Sequence, residues 1–148
     1  MKSGLLRPRY KFWVRASLFL AGIMILGLVY IFQRVSLADL FGLFQGGDLH
    51  PNIIFIINRT LRLMFNDLAC FLIIYALFQK KKYLKIAFWV FLAELLVILP
   101  LYLIIKLTFE GDSEISSPLL SQVHRLIVNP MLMILLMVGF FYQEFFNK

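Results

Sequence analysis

Four long apolar runs alternate with short polar segments along the chain, at about residues 13–33, 53–79, 86–105 and 118–143. A helix of about 20 apolar residues crosses a hydrocarbon core about 30 Å thick. The pattern therefore predicts an all-α membrane protein of four transmembrane helices in a single domain. The first run follows a basic head, and this pairing also fits a signal peptide, with Ser36-Leu37-Ala38 as a small-x-small motif. The uncharged stretch from Ala16 to Gln33 exceeds the roughly 7–15 residues of a signal-peptide core, so a retained helix is expected.

The connectors carry the breakers. Asp39, Gly42, Gly46-Gly47-Asp48 and His50-Pro51 interrupt the first connector, while Leu37, Leu40, Phe41, Leu43 and Phe44 predict a short segment lying in the membrane interface. Lys80-Lys81-Lys82-Tyr83-Leu84-Lys85 reads as a tight basic turn. Residues 106–117, with Glu110, Asp112 and Glu114, read as the most polar loop. Pro100 predicts a kink in the third span and Pro130 a bend in the fourth.

Composition and charge sharpen this picture. The chain has 148 residues, 61% of them hydrophobic, against about 45–50% in soluble domains. Its net charge of +7 sits in clusters between the apolar runs, which is unlike a nucleic-acid binder. Five Lys or Arg lie within residues 1–15 and four within residues 80–85, whereas Arg34 and Lys106 stand alone in the other two connectors. Basic segments stay on the cytoplasmic side. Both termini are thus expected in the cytoplasm, with the Gly46 and Asp112 loops outside. Cys70 is the single cysteine, which excludes an intrachain disulfide.

Candidate chemistry lies in the polar residues inside the spans. Arg or Asp at a membrane centre costs roughly 2.5–3.5 kcal/mol on insertion scales, so such residues must be paired, wetted or used. Arg59, Arg62, Asn66 and Cys70 fall on one helical face, and Gln122, Arg125 and Asn129 form a matching stripe on the last span. Both spans run outside to inside, so the stripes are expected to face each other in the outer half of the bundle. At a rise of about 1.5 Å per residue, Arg59 and Arg62 lie roughly 27–32 Å above the basic turn, Asp67 about 20 Å, and Cys70 and Glu94 about 13–15 Å. Arg62-Leu63-x-x-Asn66 and Arg125-Leu126-x-x-Asn129 share three letters 63 residues apart, as a duplicated hairpin would.

Two readings stand side by side. In the first, Asp67 and Glu94 neutralise Arg62 and Arg125, and the asparagines cross-link spans. In the second, Arg59, Arg62 and Arg125, with Asn66, Asn129 and His124, form an outward-facing site for a phosphate, a carboxylate or a partner. Glu94 fits either an ion pair or a proton relay. His124 and Cys70 lie too far apart in depth for a nucleophile–base pair, which needs about 3 Å. His50 and His124 belong to no metal-ligand spacing, and no phosphate loop or dinucleotide turn occurs, so neither metal nor cofactor is expected.

Asn58-Arg59-Thr60-Leu61-Arg62 with Asn66, the preceding His50-Pro51, and His124-Arg125-Leu126-Ile127-Val128-Asn129-Pro130 closing with Phe140-Phe141-Tyr142-Gln143 resemble the small exosortase F system-associated membrane proteins of Bacteroidetes. The resemblance spans essentially the whole chain. It implies a non-enzymatic accessory of a membrane sorting protease, with the catalytic cysteine, arginine and histidine belonging to the exosortase partner. The alternative is a lipid-binding or small-solute transport component in which membrane lipid is the partner, and a membrane enzyme ranks last.

Overall fold

The apolar runs form helices, and their bounds decide which polar residues meet. The computed structural model describes residues 7–32, 50–109 and 118–146, which contain no strand. Helix α1 is Arg7–Ile31 and α2 is Pro51–Phe78. Helix α3, Lys81–Ala93, runs through one π-helical turn, Glu94–Ile98, into α4, Leu99–Phe109. Helices α5, Pro118–Val128, and α6, Met131–Phe145, complete the bundle. Phe12–Ile31, Pro51–Phe78 and Lys81–Phe109 are each long and apolar enough to cross a membrane. The α5–α6 pair makes a fourth span if it crosses as one, bent by 63°. The expected interfacial segment and the acidic loop around Asp112 lie outside the described residues.

Local chemistry sets the ends of α2. His50 accepts the Asn52 N–H on Nδ1 at 3.3 Å, and Pro51 fills the first helical position, where no N–H is needed. Gln79 closes the helix in the left-handed region at φ 52° and donates its N–H to the Tyr75 carbonyl at 3.1 Å. The basic turn is therefore only Gln79 and Lys80. Lysine is a good helix former, and α3 begins at Lys81 rather than near residue 86. Glu94 consequently sits roughly five residues, or about 7 Å, farther from the turn than a start at 86 would give, which is the level of Asp67.

The kink expected at Pro100 takes the form of a π-turn. Pro100 has no N–H for the carbonyl four residues back, and its ring crowds that carbonyl. Just before it, the Leu99 N–H bonds to the Glu94 carbonyl, five residues back rather than four. In an uninterrupted α-helix Tyr102 and Lys106 would lie roughly 80° and 120° around the axis from Glu94. The residue absorbed by the π-turn brings both to within roughly 20° of it. Glu94, Leu99, Tyr102 and Lys106 accordingly all face inward and are buried.

Helix α1 lies along α2. A Cβ on Gly22 would meet the Ala69 carbonyl oxygen at 2.9 Å and Ile73 Cγ1 at 2.6 Å, so the close approach requires glycine. The two helices also terminate each other. Arg15 on α1 donates from Nε to the Ala76 carbonyl at 2.9 Å and from a terminal nitrogen to Leu77 at 3.2 Å, at the end of α2. Arg62 on α2 donates to the Phe32 carbonyl at 3.4 Å, at the end of α1. Cations are favourable at both places because the last carbonyls of a helix lack partners and carry partial negative charge.

Lys80 opens the turn and donates to the Glu144 carboxylate near the end of α6 at 2.6 and 2.7 Å, and the Tyr83 hydroxyl adds a bond of 2.9 Å. Phe78, Tyr83 and Phe140 pack around this contact, with the last two ring centroids 4.4 Å apart. Arg15, the α2–α3 turn and Glu144 thus share one end of the bundle.

Candidate functional site

The polar side chains gather in three places. The first is a cavity of about 300 Å³ bordered by Leu26, Val29 and Tyr30 of α1, Arg62 and Asn66 of α2, Asn129 and Pro130 of the α5–α6 break, and Ile134 of α6. Its size is at the lower end of the range for small-molecule sites. Its lining is mainly apolar, and Arg62, Asn66, Asn129 and Tyr30 are the residues there that carry polar side-chain groups. Arg62 is buried, and its bond to Phe32 holds it beside the end of α1.

The second group lies beside Arg62, between α2, α4 and α5. Tyr102 is 1% exposed, and its hydroxyl shares a hydrogen bond of 2.6 Å with His124 Nδ1. Arg59, Arg62 and Lys106 all stand within electrostatic reach of the His124 ring. Arg59 is half-buried, with its guanidinium 5.0 Å from the Phe55 ring centre, close enough for a cation–π contact. Lys106 is 4% exposed on α4, although its place in the sequence points to a loop. Three cations therefore concentrate positive potential around one tyrosine–histidine pair, a setting suited to an anion.

The third is a carboxyl pair. Asp67 and Glu94 come within hydrogen-bonding reach of each other, with Cys70 close by. Both acids are buried, and Glu94 is the first residue of the π-turn.

Several expectations change. Arg62 and Arg125 do not face each other: Arg125 is exposed on α5 and does not border the cavity. A straight-helix stripe through Arg125 and Asn129 assumes a continuous span, but the span breaks at Asn129 and Pro130. Asn129 does join Arg62 and Asn66 at the cavity, from the break rather than from a helix face. Asp67 and Glu94 neutralise neither arginine, because the earlier start of α3 raises Glu94 to the level of Asp67, where the two acids meet. His124 and Cys70 occupy separate clusters. Tyr102 and Lys106 escape a reading by straight-helix phase because their position relative to Glu94 is set by the π-turn. The only signal for that turn in the sequence is Pro100, which specifies a disturbance but not its form.

Among the described residues, no group of three or more His, Cys, Asp or Glu is arranged to hold a metal ion. No family model, curated protein or solved structure matches the chain.

Proposed function

We propose that the chain is a non-enzymatic accessory protein of an exosortase-type sorting system in a bacterial inner membrane. In this reading the cavity between α1, α2 and the α5–α6 break takes an anionic group from the partner protease or from a substrate tail. One observation carries it: Arg62, Asn66 and Asn129, from two separate elements, meet at a single cavity with apolar walls. A guanidinium flanked by amides matches a carboxylate or phosphate, and the cations around Tyr102 and His124 add attraction for negative charge. The motifs around Arg62 and Asn129 that resemble the exosortase-associated proteins border this same cavity.

Lipid handling is the second reading, supported by Leu26, Val29, Tyr30 and Ile134, which offer an acyl chain an apolar wall next to Arg62. A gentle-detergent pull-down from the native host, with proteins and lipids both identified by mass spectrometry, separates the two. The accessory role expects a membrane protease in the eluate, depleted by Arg62→Gln and retained by Arg125→Gln, whose side chain is exposed. Anionic lipid without a protease, depleted by the same Arg62 variant, favours lipid handling. Recovery of neither rejects both.

A further inference from the structure

Asp67 and Glu94 border neither the cavity nor the cationic cluster, so their role does not depend on what the cavity binds. They are 0% and 3% exposed. None of their four side-chain oxygens receives a hydrogen bond from a donor elsewhere among the described residues. Their contact is with each other. An ionised carboxylate only accepts hydrogen bonds, so a bond between two carboxyl groups requires a proton on one of them. Two bare carboxylates held together away from water would repel strongly.

Among the described residues, no cation is recorded acting on either acid. Cys70 on α2 is the titratable side chain close to both acids. On α6, Met133 shares the buried cluster of Cys70 and is apolar. The cations of α2 and α4 gather at the other cluster, around His124 on α5.

We propose that Asp67 and Glu94 form a proton-binding site inside the bundle, and that the bound proton locks α2 to the π-turn. On release, the carboxyl O–H bond breaks and the proton passes to hydroxide, forming water. The two carboxylates left behind repel, and α2 loosens from Glu94. The π-turn is the suitable partner for such a lock, because π-turns recur at functional sites where a helix must hold an irregular side-chain geometry.

The test uses the full chain in lipid vesicles, with Cys70→Ala to remove the thiol. A hydrophobic carbodiimide adds to protonated carboxyls in apolar surroundings, and peptide mass spectrometry reads the adduct. The expected label falls on Asp67 or Glu94 in preference to Glu144, which is ion-paired to Lys80. In parallel, thermal stability of the same protein in detergent should fall as pH rises from weakly acidic to weakly alkaline. Asp67→Asn, whose amide donates without a shared proton, should flatten that fall, and Glu94→Gln should do the same if the first variant does not fold. Absence of label from both acids in folded protein, or equal slopes in parent and variant, overturns the proposal. So does protection from the label by sodium but not by choline at constant pH, which would make the occupant a metal cation.

Discussion

Tyr102 and His124 share a hydrogen bond of 2.6 Å that ties α4 to α5 within electrostatic reach of Arg59, Arg62 and Lys106. Tyr102→Phe and His124→Ala should each cost about 1 kcal/mol, the usual net value of a neutral hydrogen bond. Together they should cost less than their sum, since both remove the same bond. A double-mutant cycle on thermal unfolding in detergent measures the coupling. Strict additivity would mean that the bond contributes nothing to holding α5 in place.

The π-turn fixes the phase of everything beyond it. Deleting Val97, which is exposed within the turn, should restore a regular α-helix and rotate Tyr102 and Lys106 by roughly 100°. With Cys70→Ala, cysteines placed at 102 and 124 should be bridged by a short bifunctional thiol reagent in the parent and not in the deletion variant. Cross-linking of equal yield in both would show that the bundle absorbs the lost residue elsewhere.

The limits of the sequence reading have the same origin. Hydrophobic run length depends on membrane thickness alone, so the helices are legible from the pattern of apolar residues. Side-chain meetings depend on phase and on helix ends. Arg62, Asn66 and Asn129 can be grouped because their stripes both fall in the outer half of the bundle, but Arg125 joins them only if a straight helix is extended through Asn129-Pro130. Glu94 falls too low when the lysine cluster counts as a turn, whereas Lys81, Lys82 and Lys85 occupy the first two turns of α3. Proline announces that a helix will depart from regularity. It does not say whether the departure is a π-turn, as before Pro100, or a 63° break, as at Pro130.

Gly22 permits the contact between α1 and α2. Gly22→Ala should weaken that packing by about 1–3 kcal/mol, because the new methyl meets the Ala69 carbonyl oxygen, which cannot rotate away. A methyl added at Gly27 or Gly139 would meet nothing within 4 Å, so alanine at either is sterically free. Those two variants should be neutral or slightly stabilising, since alanine is the better helix former. Thermal unfolding of the three variants side by side checks the contrast.

At the opposite end from the cations, the hydrogen bond to Glu144 holds the Lys80 ammonium above its ordinary pKa, with the nearby negative charge adding to the effect. A raised folded-state value means that the contact is fully present below the ordinary lysine pKa and is lost as pH climbs through the folded one. Lys80→Met should lower thermal stability at neutral pH, and the gap between parent and variant should close on the alkaline side. A gap that stayed constant with pH would assign the loss to the lysine stem rather than to its charge.

The arginines at either end of the first two helices make each helix the terminator of the other. A chain cut within residues 33–49 would yield two pieces, each with helix-end carbonyls to which an arginine of the other piece donates. Expressed as separate polypeptides in one cell, they should reassemble without a covalent link, and a reporter split across the cut would light up. Arg15→Ala with Arg62→Ala would leave the pieces apart, because neither would still carry the group that completes its neighbour.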